Sequence, residues 1–289
     1  MERQTGTQIS VYSEEDLYQR LGLDFIVPEL REDRGEIEAG AAGQLPKLLV
    51  IEDIKGDFHC HTAWSDGIDN LEKLVLAARG RGYAYLGITD HSQTLKVAQG
   101  LTIEQLRKQG AEIKALNRKY PDFKILHGAE VDILADGSLD YPDEVLAELD
   151  VVIASIHSHF RQDRATMTGR ILKAISNPHV DILAHPTGRI LGRREGYPVD
   201  LEQVIAKAAA TRTVLEINAS PDRLDLNDVW VRRAKECGVK IAINTDAHEE
   251  GRLEEISFGI TVARRGWLEK DDVINTWPWE RVRAYFTPG

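Results

Sequence analysis

The stretch GDFHCHTAWSDGIDNLEKLVLAARGRGYAYLGITDH, residues 56–91, contains two short apolar runs separated by a segment of helical periodicity. The runs, near 56–60 and 83–89, have the length and the apolar content of buried strands. Between them, apolar side chains recur at helical spacing over Asn70–Ala78. A strand, a helix and a second strand in this order predict a βαβ unit, in which the two strands run parallel.

The same alternation continues along the rest of the chain. Further strands are predicted near 124–133, 150–156, 180–184, 213–218 and 239–245. Further helices are predicted over Thr102–Asn117, Asp200–Ala210 and Leu226–Cys237. Seven strand-then-helix units in succession favour a parallel sheet, and seven strands are enough to close a barrel. We therefore predict an α/β fold, a distorted seven-stranded (βα)7 TIM-like barrel, over residues 55–289.

The first 54 residues differ from this pattern. Ser13 is followed by three acidic residues, as at the start of a capped helix, and apolar residues at helical spacing continue to Leu21. Pro28 then interrupts the periodicity, and residues 29–36 are charged with little apolar content. We predict a connector with one short helix over residues 1–54.

Composition excludes several classes of protein. Of 289 residues, 42% are hydrophobic and 29% are charged, which excludes a disordered or a fibrous chain. The net charge of −11 excludes a broadly basic nucleic-acid-binding surface, although it leaves room for DNA held locally at one site. The sequence contains neither an apolar run long enough for a membrane span nor a signal-peptide core. Because two cysteines, Cys60 and Cys237, are too few for a disulfide framework, we expect a protein of the reducing cytoplasm.

Metal-ligating residue types lie at or near the ends of the predicted strands. In order along the chain they are His59, His61, Asp66, His91, Glu130, His157, His185, Asp246 and His248. Residues two positions apart on a strand face the same side, so His59 and His61 point together, as do Asp246 and His248. In a parallel α/β barrel the carboxyl ends of the strands meet at one face. The sequence therefore predicts a metal site at that face.

The donor set indicates the chemistry of this site. Nine donors exceed what one four-coordinate ion can use, so we expect two or three ions and at least one bridging group. Imidazole and carboxylate donors without thiolate favour Zn²⁺, Mn²⁺ or Fe²⁺ over Ca²⁺ or Mg²⁺. Clustered ions of this kind suit phosphoester hydrolysis, because they can bind both the entering and the leaving oxygen.

Basic residues follow the fifth predicted strand. Arg189, Arg193 and Arg194 lie beyond its carboxyl end, and arginine suits bidentate binding of phosphate. These three residues are therefore predicted to contact substrate phosphate. His159 has the same strand parity as His157 and is predicted to line the rim of the site. Similar rim positions are expected for Arg161, Arg164 and Arg223.

The nine candidate ligands, in this order, resemble the ligand set of the polymerase and histidinol phosphatase (PHP) domain. The fold of that family is a seven-stranded βα barrel with a trinuclear metal site. All nine of its ligand positions are filled here between residues 59 and 248. The segments 28–36, 136–140, 185–189 and 216–219 are further similar to the C-terminal region of bacterial family X DNA polymerases. The resemblance covers almost the whole chain and implies either the PHP domain of such a polymerase or a stand-alone relative.

The resemblance also implies how the ligands are shared among the ions. One ion would be held by His59, His61, Glu130 and Asp246, a second by Asp66, His91 and His248, and a third by His157 and His185, with Glu130 as the bridge to the first. The implied catalytic residues are His59, His61, Glu130, Asp246 and His248. Asp90 would orient a ligating imidazole from behind.

Three functions remain open at this point. Resemblance to family X polymerases favours a Mn²⁺-dependent 3′–5′ exonuclease on DNA 3′ ends in repair, with abasic-site cleavage or 3′-phosphate removal as further activities. The same metal site could serve a phosphomonoesterase on a small metabolite such as histidinol phosphate, and a non-catalytic module of a polymerase is the third alternative. The expected partners are DNA 3′ ends, as single strand or primer–template, and a family X polymerase core in the same parent chain. The expected setting is cytoplasmic and nucleoid-associated, without membrane contact.

Overall fold

The chain divides into two units. A computed structural model describes residues 10–286, and the units are Met1–Lys47 and Leu48–Gly289. The boundary predicted between connector and barrel, after residue 54, lies within the second unit. The division into a connector over residues 1–54 and a metal-binding barrel over residues 55–289 stays a prediction.

The first unit contains two short helices. The first, α1, covers Glu14–Arg20, and the preceding Ser13 hydroxyl caps it by accepting a hydrogen bond from a backbone N–H, as the sequence predicts. The second, α2, covers Glu36–Ala42 and is not predicted from the sequence. Its start depends on Glu36, whose carboxylate accepts two backbone hydrogen bonds from the turn before the helix. Ile37 is the single large apolar residue of this helix, so no apolar periodicity reveals it in the sequence.

The second unit contains seven strands and eight helices within the described residues. The strands are β1 Gly56–Asp57, β2 Tyr85–Ile88, β3 Lys124–Asp132, β4 Val151–Ser155, β5 Ile182–Leu183, β6 Val214–Asn218 and β7 Ile241–Asn244. The helices are α3 Leu71–Gly80, α4 Ile103–Lys119, α5 Asp143–Leu146, α6 Arg164–Ala174, α7 Leu201–Thr211, α8 Asp228–Glu236, α9 Ile256–Arg265 and α10 Trp279–Phe286. Every strand pairs in parallel with the next one along the chain, which confirms the predicted α/β barrel. Over residues 10–286, none of the helices combines the length and the apolar composition needed to cross a membrane.

Side-chain caps fix where the helices around the barrel begin. In each case a polar residue directly before the helix accepts a hydrogen bond from the backbone N–H three residues later, which satisfies a donor that the helix itself leaves unpaired. These caps are Asn70, Thr102, Asp163, Asp200 and Asn227. The loops before them therefore end at defined positions, and these loops surround the carboxyl ends of the strands.

Apolar residues of the strands alternate between two packed layers. In β4, Val152 and Ala154 belong to a cluster that also contains the helix residues around the barrel. Val151 and Ile153 belong to a second cluster, which lies inside the barrel and includes Trp277 from the C-terminal segment. Inward-facing positions are thus occupied by apolar side chains along most of each strand. Polar side chains occupy them only towards the carboxyl ends of the strands.

The first and last strands are joined by a side chain rather than by a continuous ladder. Among the described residues, an isolated bridge between Cys60 and Ala247 replaces a ladder here, and the side chains of Asp57 and Asn244 accept further hydrogen bonds from Thr245 N and Phe58 N across the same gap. Below it, the buried amide of Asn275 donates hydrogen bonds to Gly56 O at 2.9 Å and to Ile243 O at 2.7 Å. Its Oδ1 accepts a third bond, from Ile243 N at 2.7 Å. Asn275 therefore closes the barrel between β1 and β7.

Replacing Asn275 by alanine is expected to lower the free energy of unfolding by about 3 kcal/mol, because three backbone groups would stay buried without a partner. Urea unfolding measures the effect. Asn117→Ala is the matched control, because Asn117 also bonds the N–H and C=O of one strand residue but is only half-buried. Water can replace those bonds, so a loss of about 1 kcal/mol is expected there. Equal losses in the two variants would contradict the assigned role of Asn275.

Candidate metal centre

The structure brings the nine candidate ligands together at the carboxyl end of the barrel. Their nitrogen and oxygen atoms form three groups with separations within 4.8 Å, namely His61, Asp66, His91 and His248; His59, His61 and Asp246; and His91, Glu130 and His157. His185 joins them through Glu130, whose Oε1 lies 3.0 Å from His185 Nε2. The residues predicted to act together are therefore neighbours, while their role as ligands stays a prediction.

Glu130 occupies the middle of this cluster. It lies on β3 and is only 1% exposed. Its two carboxylate oxygens lie between 2.8 and 3.5 Å from ring nitrogens of five histidines, which are His59, His61, His91, His157 and His185. A carboxylate with both oxygens among imidazoles has the placement that a bridge between two ions requires.

Two further carboxylates complete the cluster. Asp246 Oδ1 lies 3.1 Å from His61 Nε2 and 3.7 Å from His59 Nε2. Asp66, in the loop after β1, has its Oδ1 3.3 Å from His248 Nε2. Each of the three groups of candidate ligands therefore contains one carboxylate among its imidazoles.

Burial and neighbouring charge shift the pKa values of the cluster in different directions. Burial would raise the pKa of Glu130, but the surrounding imidazoles, His157 above all, hold it well below its usual value. Burial would lower the pKa of His157, but the charge of Glu130 and a hydrogen bond to Asp132 raise it to about 10. For His61, burial and the neighbouring imidazoles lower the pKa to about 3. In the metal-free cluster Glu130 is thus ionised and His61 neutral at pH 7, which are the forms that bind a metal, whereas His157 is protonated and would release its proton on binding one.

Several buried polar atoms of the cluster have no hydrogen-bond partner within residues 10–286. They are His59 Nε2, both ring nitrogens of His61, His91 Nδ1, Glu130 Oε2 and His185 Nδ1. Buried polar atoms are otherwise almost always paired, because leaving one unpaired costs free energy. All of these atoms are imidazole nitrogens or carboxylate oxygens, which Mn²⁺, Zn²⁺ and Fe²⁺ accept as ligands. The residues therefore fit divalent metal ions.

Two buried carboxylates orient the imidazoles, and sequence analysis identifies neither of them. Glu216 on β6 lies 2.8 Å from His59 Nδ1 through one oxygen, and its other oxygen accepts a hydrogen bond from His185 N at 2.7 Å. Asp132 at the end of β3 lies 2.6 Å from His157 Nδ1. Such contacts would fix each ring so that its other nitrogen is available to a metal ion. Their position on the inward face of largely apolar strands is the signal that could have revealed them.

Asp90 does not have the role predicted for it. Its carboxylate accepts hydrogen bonds from the backbone and hydroxyl of Thr62, from the Ser65 hydroxyl and from the Gln109 amide. Within the described part of the chain it accepts none from an imidazole. Asp90 therefore fixes the loop after β1, which carries Asp66. The prediction that it orients a ligating ring is wrong, because its side chain turns towards this loop.

The arginines predicted to contact phosphate lie in the loop after β5. Arg189 donates hydrogen bonds to two backbone carbonyls of the loop after β6, and Arg194 donates two to Gly188 O. The Arg194 guanidinium also lies 4.2 Å from the centre of the Phe160 ring. Both arginines therefore hold loops together at the rim. Arg193 is exposed.

The other residues predicted to lie at the rim make different contacts. His159 is exposed, adopts a left-handed φ of 57° and contacts the neighbouring Ser158 hydroxyl. Arg164 pairs with Asp200 at the start of α7. Arg223 approaches the cluster itself, with its Nε 3.6 Å from Asp246 Oδ2. Arg223 is therefore the predicted rim residue with a direct contact to a candidate ligand.

Known proteins resemble this chain in sequence. The family model of the PHP domain matches residues 57–220. The DNA polymerase/3′-5′ exonuclease PolX of Bacillus subtilis (strain 168) is 47% identical over 282 residues, which are 98% of this chain and 49% of that protein. The chain thus spans about half the length of this relative. A probable phosphatase of Thermoanaerobacter sp. (strain X514) is 33% identical over 234 residues, covering 76% of this chain and 89% of that protein.

A solved structure shares the fold. Histidinol phosphate phosphatase from Lactococcus lactis subsp. lactis Il1403, complexed with zinc, L-histidinol and phosphate, matches 73% of this chain and 93% of its own. The TM-score is 0.56 and the sequence identity is 19%. At this level of identity the likeness establishes the barrel architecture alone.

Proposed function

The chain belongs to the PHP domain family, and we propose that it is a metal-dependent phosphoesterase, specifically a 3′–5′ exonuclease acting on DNA 3′ ends. The observation that carries the proposal is Glu130, which contacts five imidazoles at the carboxyl end of the barrel. The name of the Bacillus relative supports DNA as the substrate. A polymerase core as partner is part of the same proposal and rests on the same name.

The proposed cofactors are two or three divalent ions, with Mn²⁺ or Zn²⁺ favoured and Fe²⁺ as a third option. We propose that the ions are shared among the nine ligands as the family resemblance implies, with Glu130 as the bridge. When bound, such ions act as Lewis acids towards phosphoryl oxygens and make water a stronger nucleophile. His59, His61, Glu130, Asp246 and His248 are catalytic residues in this proposal because they hold the ions against the substrate.

The remaining contributions come from side chains around the ligands. The ionised Glu130 and Asp246 bring negative charge to the buried cluster, so that cations are stabilised there. Glu216 and Asp132 hold two of the rings from behind, which reduces the reorganisation needed when substrate binds. Arg223, 3.6 Å from Asp246, is placed to neutralise phosphate charge next to the ligands, and the exposed Arg193 is placed to do so at the rim.

A time course on a 5′-labelled primer–template tests this function, with added Mn²⁺ and with a chelator in parallel. We expect a ladder of products that shortens from the 3′ end with Mn²⁺ and is absent with the chelator. A strand that stays at full length under both conditions would contradict the exonuclease proposal.

A phosphomonoesterase acting on a small metabolite is the second candidate. The specific observation in its favour is the similarity to the Thermoanaerobacter phosphatase, because the chain covers 89% of that protein. Phosphate release from histidinol phosphate, measured beside the primer–template reaction with the same metal, separates the two candidates. A higher kcat/KM for histidinol phosphate than for DNA would favour the phosphatase function over the exonuclease function.

Replacing Glu216 by glutamine is expected to weaken Mn²⁺ binding by about 10–100-fold, because the charge that orients and polarises the His59 ring is lost. Titration calorimetry with the metal-free protein measures this effect independently of activity. Glu112→Gln is the matched control, since Glu112 is exposed and bonds the Trp64 indole outside the cluster. Unchanged Mn²⁺ affinity in folded Glu216→Gln protein would contradict the positioning role.

A further inference from the structure

A groove lies at the end of the barrel opposite the metal centre. Its volume is about 920 Å³. It is lined by Lys55 just before β1, by residues just before β2, by the start of β3, by the second half of α4 and by the start of α10. Lys124 lies in the groove and begins β3, whereas Glu130 lies six residues further along the same strand. At about 3.3 Å per residue, the two positions are about 20 Å apart. The groove is therefore separate from the candidate metal centre.

Positive charge predominates in this groove. Four cationic side chains line it, those of Lys55, Lys114, Arg118 and Lys124. Lys124 has a carboxylate neighbour, Asp150, at 3.7 Å. The other three side chains form no ion pair within residues 10–286. Three cations of the groove are therefore available to an external anion.

The carboxylates of the groove cancel only part of this charge, because they are two against four cationic side chains. Two line it, Asp122 and Glu280. Asp122 is engaged by the guanidinium of Arg79, with 2.5 Å between Oδ2 and Nη2. The groove is positively charged although the chain as a whole has a net charge of −11. Such a concentration of cations favours a polyanionic ligand.

An aromatic side chain lies next to the cations. Trp279, the first residue of α10, is half-buried and lines the groove. Its ring centre lies 5.9 Å from Lys124 Nζ. Proteins that bind single-stranded nucleic acid without sequence preference combine a positive groove, which follows the phosphates, with an aromatic ring on which a base stacks. The groove has both components.

We infer that this groove binds a single-stranded segment of DNA, at a site distinct from the metal centre. The inference rests on the proposed function, which makes DNA the substrate. Lys55, Lys114 and Arg118 contact backbone phosphates, and Trp279 provides the stacking surface. A strand held here is anchored away from the 3′ end that the metal centre hydrolyses.

Fluorescence anisotropy with a labelled oligothymidylate tests the inference on the metal-free full chain, in which no hydrolysis interferes. The double variant K114E/R118E is expected to bind about tenfold more weakly than the wild type. The slope of log K against log salt is expected to fall by about 1.4, since each phosphate contact on a single strand contributes about 0.7. The matched control is R107E/K108E, which makes the same charge change on α4 outside the groove and is expected to stay within about twofold of the wild type.

Trp279→Leu provides a second variant without any change of charge. We expect this variant to bind the oligothymidylate at least about fivefold more weakly than the wild type, because a base loses its stacking partner. Equal affinity of K114E/R118E and R107E/K108E would overturn the inference. Undetectable binding by the wild type at low salt would also overturn it. The proposed function is judged separately, by hydrolysis in the metal-loaded protein.

Discussion

Replacing Glu130 by glutamine is expected to lower kcat for phosphoester hydrolysis by about three powers of ten. Glutamine keeps the size of the side chain but removes the charge from a group that contacts five imidazoles. It also offers one oxygen instead of two, so it cannot bridge two ions. A loss of several kcal/mol of electrostatic stabilisation corresponds to this factor. Steady-state kinetics at saturating Mn²⁺ measures it.

A half-buried carboxylate at the other end of the barrel supplies the control for Glu130→Gln. Asp181 directly precedes β5 and accepts a hydrogen bond from Val152 N at 2.8 Å. Burial raises its pKa well above the usual value, so an amide resembles its neutral form. Asp181→Asn is therefore expected to keep its activity. If Glu130→Gln keeps more than about a tenth of the wild-type kcat, the central role of Glu130 is contradicted.

Replacing Asp246 by asparagine is expected to lower kcat by about two powers of ten. Asp246 adopts a left-handed φ of 55°, which asparagine tolerates as well as aspartate, so the backbone can stay as it is. The substitution instead removes the charge next to His59 and His61. Kinetics at saturating Mn²⁺ measures the loss, and elemental analysis of the dialysed protein reports the accompanying loss of metal.

Asp66→Asn provides the comparison for Asp246→Asn. The side chain of Asp66 is 31% exposed, whereas that of Asp246 is 10% exposed. Water can screen and partly replace the charge at the more exposed position, so a smaller loss is expected there. A larger loss of kcat in Asp66→Asn than in Asp246→Asn would contradict the ranking of the two carboxylates.

The grouping of the candidate ligands could be predicted because it follows from strand topology. Parallel strands bring their carboxyl ends to one face, and strand parity puts His59 with His61 and Asp246 with His248. Neither step requires knowledge of loop conformation. Glu130 lies at the middle of the cluster, and its role as the bridge, which the family resemblance implies, stays a proposal.

The partners of individual polar side chains could not be predicted in the same way. Asp90 faces the loop after β1 and Arg194 bonds a carbonyl of its own loop, and both contacts depend on loop conformations that no motif specifies. Glu216 lies in the segment 216–219, but nothing in that segment specifies its contact with His59, which joins residues 157 positions apart. Asn275, which joins β1 to β7, has a partner 219 positions away. Such contacts become visible only when the barrel is closed.

Anomalous diffraction from crystals grown with Mn²⁺, with data collected at the manganese absorption edge, tests whether the nine candidate ligands bind metal ions around Glu130. We expect two or three anomalous peaks per chain among the nine candidate ligands, with the carboxylate of Glu130 bonded to two of them. The absence of peaks at this end of the barrel, with ordered density for all nine side chains, would contradict this expectation.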